Sequence, residues 1–237
     1  MTGQQQDQRR VIVTGGRGTI AGEIVPLLPD TWAITSTGRH AEASTPLDIT
    51  DLDACRAVFQ GADAVVHLAA VSEPDSNWEE LLPANVIGCY NVARAAADAG
   101  VRRLVLAGSV QAVMAYPRGY QVRPGDAPRP KNLYGATKAW AEAVGSWISE
   151  TSATSAVVLR LGNFETEPPR VPAGQLPGVA EWLSPRDCAG LIRAAVEWPG
   201  SGYLVASAVS ANRYPHLEIT QTAATLGYHP VDDGWSS

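Results

Sequence analysis

Arg9-Arg10-Val11-Ile12-Val13-Thr14 runs without interruption into Gly15-Gly16-Arg17-Gly18-Thr19-Ile20-Ala21-Gly22. A short apolar run rich in β-branched residues reads as a buried strand, and the glycines that follow read as a tight turn opening a helix. Gly15 and Gly18 lie three apart, and the third small position, six after Gly15, is Ala21. Such a turn lets backbone N–H groups at the helix start approach a pyrophosphate, while Ala21 permits close contact between helix and strand. Gly15, Gly18, Thr19 and Ile20 are therefore the first cofactor-binding candidates. No other stretch restricts the fold as much, because this one demands a parallel βα unit at the head of the chain.

The remainder continues that pattern. A helix is expected from Thr19 to about Leu28, stopping near Pro29, and a strand over Trp32–Ser36. The second strand of a dinucleotide site commonly ends in a carboxylate that accepts from the adenosine ribose. Here the chain offers Ser36-Thr37-Gly38-Arg39 instead, with Arg39 24 residues after Gly15. Arg39 either pairs with a 2′-phosphate, which tilts the choice between NAD and NADP slightly toward NADP, or is an exposed loop arginine. Leu47-Asp48-Ile49 precedes a helix opened by Thr50-Asp51, and Asp48 is placed to accept from an adenine amino group. A strand over Ala62–Leu68 ends in His67-Leu68-Ala69-Ala70-Val71-Ser72, whose small residues allow backbone to approach the cofactor. His67 itself reads as a core residue.

Asn77–Ala99 is a long helical stretch, and its Asn85 is either structural or the anchor of a proton-relay water. A strand at Arg103–Ala107 delivers Ser109 to its carboxyl end. Asn132 caps a helix carrying Tyr134 and Lys138, after a loop at 110–130. A strand at Ser155–Leu161 leads into Glu165–Gly178, whose four prolines suggest a lid or binding wall. A helix from Ser184 to about Trp198, a strand near Tyr203–Ala206 and a helix at Glu218–Leu226 follow. The expected architecture is α/β: a doubly wound parallel sheet, Rossmann-like, with a small C-terminal substrate-binding part. Residues 1–8 are expected as a disordered tail and 9–237 as one domain, with substrate-binding elements mainly from 163–183 and 207–237.

Tyr134 and Lys138 are four residues apart and share a helix face. An ammonium beside a phenol favours the phenolate, which makes tyrosine a usable proton acceptor, and a serine hydroxyl at the same sheet edge can orient the substrate oxygen. Composition narrows the field. A formal net charge of −6 argues against a nucleic-acid or anionic-membrane partner, and 18% charged with 45% hydrophobic residues suits a globule. No apolar run approaches spanning length, the start of the chain is polar, and Cys55, Cys89 and Cys188 lack metal-ligand spacing. A cytoplasmic protein with reduced cysteines and no metal is expected.

With Gly15 through Ala21, Leu47-Asp48-Ile49, His67–Ala70, Asn85-Val-Ile-Gly88, Ser109 and Tyr134-Gly-Ala-Thr-Lys138 in this order, the chain resembles extended short-chain dehydrogenases/reductases, the NAD-dependent epimerase/dehydratase family. Within it the chain is most similar to uronate dehydrogenases, through Ala70-Val-Ser72, Glu79–Asn85, Tyr116-Pro117, Arg160-Leu-Gly162, Glu167-Pro168, Trp182-Leu-Ser184 and Leu226–Pro230. The resemblance implies catalysis by Ser109, Tyr134, Lys138 and Asn85. It implies cofactor contacts from Asp48, Ile49, Leu68, Ala69, Ala70, Tyr134, Lys138 and Gly162, and substrate contacts from Ser72, Val110, Gln111, Asn163 and Arg170. A homodimer through the long helices is implied as well. Two departures stand out: Val110-Gln111 replaces the Asn-His that uronate dehydrogenases carry after the serine, and Leu176-Pro177-Gly178 replaces their carboxylate-gripping arginine. The implied activity is interconversion of a secondary alcohol and a ketone, or of a lactol and a lactone, on a small sugar-like or cyclic substrate. Alternatives are a redox-neutral epimerase or related recruited enzyme, and a non-catalytic dinucleotide sensor.

Overall fold

The computed structural model describes residues 8–39, 45–169 and 179–235. The seven-residue run at 1–7 within the expected tail, Arg170 and most of the proline-rich loop lie outside the described residues. β1 (Arg9–Thr14) forms where predicted and is fully buried from Val11 to Thr14. Its neighbours are β2 (Trp32–Gly38) and β4 (Ala64–His67), and β2 is edged by the two-residue β3 (Thr45–Pro46). β5 (Arg103–Ala107), β6 (Ser155–Leu161) and β9 (Tyr203–Ala208) complete a seven-stranded sheet in the order β3-β2-β1-β4-β5-β6-β9. Every pairing in it is parallel. The order reverses direction at β1, so a crevice opens between the carboxyl ends of β1 and β4.

Alternation along the strands sends side chains to two layers. Val11 and Val13 of β1 and Val105 of β5 pack under α1 (Thr19–Ile24) and α6 (Pro185–Glu197). Ile12, Leu104 and Leu106 pack on the other face, under α2 (Leu52–Phe59), α4 (Cys89–Asp98) and α5 (Leu133–Thr151). α1 is shorter than expected: it stops at Ile24 and tightens into a 3-10 turn at Val25–Leu27, because Pro26 has no N–H to continue the α ladder. The helical stretch from Asn77 is also interrupted. A capping box at Asn77 and Glu80 opens α3 (Trp78–Leu81), and a π-helical segment, Leu82–Gly88, carries Pro83 and Asn85 before α4 begins.

The small C-terminal part is assembled from short elements. β7 (Asn163–Phe164) pairs with β8 (Trp182–Leu183), and α7 (Thr220–Leu226) closes the chain near β9. Beyond β9 the backbone crosses to the loop after β5. Val122 N–H donates to the His216 carbonyl at 2.8 Å, and Glu218 N–H donates to the Val122 carbonyl at 2.7 Å. That loop is further anchored by Arg160, which is 1% exposed and forms a two-pronged ion pair with Glu142 at 2.8 and 2.9 Å. The same guanidinium donates to the carbonyls of Arg123 and Asp126. A buried charge this well paired specifies where the loop sits more than it adds stability.

Candidate active site

All the predicted site segments within the described residues lie at or beside the carboxyl edge of the sheet. After β1, Gly15 adopts a φ of +74°, a left-handed conformation, and a Cβ there would stand 2.7 Å from the Ala69 nitrogen. The turn is pressed directly against the backbone that leaves β4, so Gly15, Ala69 and their neighbours make a cradle only bare backbone can form. Gly18 N–H donates to the Gly15 carbonyl at 2.8 Å and Thr19 begins α1. Ile20 is half-buried against the core below. The Thr14 hydroxyl pairs with His67 Nδ1 at 2.7 Å and accepts from Ala69 N–H at 3.4 Å, tying β1 to β4 beneath the cradle. Burial, helped by the Lys138 charge, pulls His67 down to about 3, so it stays a neutral core residue. This close-packed glycine turn fits a dinucleotide pyrophosphate.

Around the cradle, Arg39 stands exposed at the end of β2. Asp48 is exposed and its carboxylate accepts from the Thr50 N–H and hydroxyl, which hold it below the usual carboxylate range. Ile49 is buried, while Leu68 and Ala70 flank Ala69 half-buried. Gly162 follows β6, its N–H on the Ala208 carbonyl at 2.8 Å.

The reacting groups meet at β5 and α5. Asn132 caps α5 by accepting from Gly135 N–H at 2.7 Å. A Cβ on Gly135 would lie 2.3 Å from the Gln111 carbonyl, so the first turn of α5 sits directly on the segment after Ser109. The Ser109 hydroxyl accepts from Gln111 N–H at 3.1 Å and lies close enough to the Tyr134 phenol to lower its pKa. Lys138 donates to the Ala107 carbonyl at 2.9 Å, with its ammonium 5.6 Å from the Tyr134 ring centre.

One expectation needs correction. Lys138 is not what sets the phenol: burial raises the Tyr134 pKa most, the Ser109 hydroxyl lowers it, the Glu73 charge raises it, and the net direction is up. Burial also depresses Lys138 itself, to about 8. The two side chains share a helix face, as the spacing requires, but the ammonium is spent on a carbonyl at the strand end.

Asn85 is fully engaged. Its Oδ1 accepts from Val71 N–H at 2.8 Å, and its Nδ2 donates to the Val71 carbonyl at 2.9 Å and to the Thr137 hydroxyl at 3.1 Å. Thr137 in turn donates to the Tyr134 carbonyl at 2.7 Å. Of the two readings open from sequence, these bonds favour the structural one: Asn85 links the loop after β4 to the helix that carries the phenol.

The substrate candidates divide. Gln111 and Asn163 line a cavity of about 750 Å³ beside the Ser109 segment, and Ser72 is exposed after β4. Val110 is a correction. It is 1% exposed and packs with Val113, Val122, Val209 and Leu217, so its side chain holds the loop instead of facing the cavity. Sequence reasoning missed Glu73, next to Ser72, and the cavity residues Arg118, Lys131, Arg213 and His216. No spacing pattern marks these last, because the Val122–Leu217 bridge brings together segments nearly a hundred positions apart.

A glycine cradle at the switch point, with a serine, a tyrosine and a lysine on the neighbouring strand and helix, defines a dinucleotide-dependent oxidoreductase. The chain belongs to the NAD dependent epimerase/dehydratase family, which it matches over residues 11–197. It is 34% identical over 247 aligned positions to L-arabinose 1-dehydrogenase (NAD(P)(+)) of Haloferax volcanii, covering 94% of this chain and 97% of that protein. It is 30% identical to uronate dehydrogenase of Pseudomonas putida, covering 89% and 73%. Among solved structures, glucuronic acid dehydrogenase from Chromohalobacter salexigens superposes with a TM-score of 0.85 at 28% identity, covering 95% and 85%. The protein is accordingly an NAD(P)-dependent oxidoreductase with a Rossmann-like fold.

Proposed function

We propose that the protein oxidises the anomeric hydroxyl of a sugar, converting a lactol to a lactone. The observation that carries this is the convergence of Ser109 and Tyr134, close enough for the serine hydroxyl to lower the pKa of the phenol, with Lys138 on the same helix face and a cavity of about 750 Å³ alongside. The relatives named above are sugar and uronate dehydrogenases, which favours net oxidation over the redox-neutral and sensing alternatives.

In this reading the Tyr134 phenolate takes the proton from the substrate hydroxyl and Ser109 holds that oxygen in line. Asn85 acts as a positioning residue through Val71 and Thr137. Lys138, bonded to Ala107, contributes positive charge below its pKa of about 8. Bound nicotinamide dinucleotide supplies the hydride acceptor. Gly15, Gly18, Thr19 and the backbone of Leu68–Ala70 would hold it, and exposed Arg39 with no carboxylate ending β2 supports a slight preference for NADP.

Two further features belong to the proposal. Trp78, Tyr90, Trp140 and Trp147 are 47, 39, 40 and 37% exposed on α3, α4 and α5, with Tyr90 stacked on Trp147 at 5.6 Å. An aromatic face of this kind supports a homodimer through these helices. No helix among the described residues is long and apolar enough to cross a membrane. Three free, buried cysteines suit the reducing cytoplasm.

The test is a panel of aldoses assayed for NADH and NADPH formation. Tyr134→Phe should lower kcat by about 10²- to 10⁴-fold, the range for removing a general base, while dinucleotide binding persists. Unaltered turnover in that variant would remove Tyr134 from the mechanism.

A further inference from the structure

The cavity lined by Gln111, two residues after Ser109, has a volume of about 750 Å³, which exceeds what one pyranose ring occupies. Its lining joins two segments: Arg118 and Lys131 from the region after β5, and Arg213, His216 and Trp235 from the C-terminal part. Against these three permanent cations stands one lining carboxylate, Glu181. Arg213 leans toward Asp233 at 3.9 Å, but among the described residues Arg118 and Lys131 have no acidic partner. Both are exposed, so neither is held by packing.

A second observation is independent of the charge count. His216 is 7% exposed, and its Nε2 is buried without a hydrogen-bond partner; the indole N–H of Trp235 is buried and unpaired as well. Two orphaned polar groups on one cavity wall are costly unless something completes them.

We propose that the wall formed by Arg118, Lys131, Arg213 and His216 is a subsite for an anionic group, phosphate or carboxylate, on the sugar whose hydroxyl reaches Tyr134. This rests on the sugar-dehydrogenase reading above and deepens it: the substrate is an acidic or phosphorylated sugar, bound with its charge against these cations.

The experiment compares glucose, glucose 6-phosphate and glucuronate as substrates of the full-length protein and of Arg118→Gln/Lys131→Gln. The wild type should favour at least one anionic sugar over glucose by tenfold or more in kcat/KM. The double variant should reduce that ratio at least tenfold, mainly through KM, and His216→Gln should move it the same way. Whichever anionic sugar is preferred distinguishes phosphate from carboxylate. Preference for glucose, or a ratio the double variant leaves intact, overturns the subsite. If none of the three is oxidised, calorimetric titration with glucose 6-phosphate and glucuronate decides separately. Binding weakened tenfold in the double variant upholds the subsite while the dehydrogenase reading falls, whereas no binding, or equal binding by both proteins, overturns it.

Discussion

Burial and the Glu73 charge push the Tyr134 phenol up, and the Ser109 hydroxyl pulls it down, with burial the largest influence. The free enzyme therefore holds little phenolate near neutrality. For a reaction in which the phenolate removes a proton, kcat/KM for oxidation should climb as pH rises above neutral, and the reverse reduction should be favoured at lower pH. Ser109→Ala removes an influence that favours the phenolate, so the climb should move to higher pH. Glu73→Gln removes an opposing charge, so the climb should move to lower pH. Rate profiles of the three proteins check the signs, and displacement of both variants in the same direction would contradict the assignment. A hydroxyl that both orients the substrate and tunes the base makes Ser109 the more informative substitution.

At the scale of elements, the site depends on how closely α5 seats against the segment following β5. Gly135 has no room for a side chain because the Gln111 carbonyl occupies the place a Cβ would take, 2.3 Å away. Gly135→Ala must lift the first turn of α5 or displace the Gln111 peptide, and either movement separates Tyr134 from Ser109. A misplacement of about 1 Å costs on the order of 10²-fold in rate, whereas overpacking at one position costs about 1–3 kcal/mol of stability. The expected result is a folded protein, by circular dichroism and urea unfolding, with kcat reduced about a hundredfold and dinucleotide binding largely retained. Wild-type kcat would show that the close seating is incidental. The π-helical segment has a comparable part, since it presents Asn85 to Val71 on one side and to Thr137 on the other.

For the whole molecule, the exposed aromatic face on α3, α4 and α5 is the surface that bears on the proposed homodimer. Trp140 and Trp147 each leave more than a third of their surface in solvent, although the Trp140 indole N–H reaches the Val86 carbonyl at 3.2 Å. If two copies meet there, Trp140→Glu with Trp147→Glu buries four like charges at the interface and should yield monomers at micromolar concentration. Sedimentation velocity reads this directly: a wild type that is already monomeric, or a variant that remains dimeric, dismisses the proposed interface. Because α5 carries Tyr134 near its start, pairing would also brace the catalytic helix.

What the chain determined alone was whatever depends on near neighbours. The strand–glycine–helix unit at Arg9–Gly22, the Asn132 cap and the shared face of Tyr134 and Lys138 follow from backbone sterics and a 3.6-residue period, so they are visible without coordinates. The order of βα units likewise implied the parallel sheet, and with it the edge where Ser109 emerges. Only tertiary structure decided the rest. It turned Val110 into a satellite core, gave the Lys138 ammonium to a strand carbonyl, and left burial in charge of the phenol. It also set Arg118 and His216 on one wall through the pairing of Val122 with Leu217. These outcomes depend on contacts between distant segments and on solvent exclusion, neither of which leaves a periodic trace in sequence.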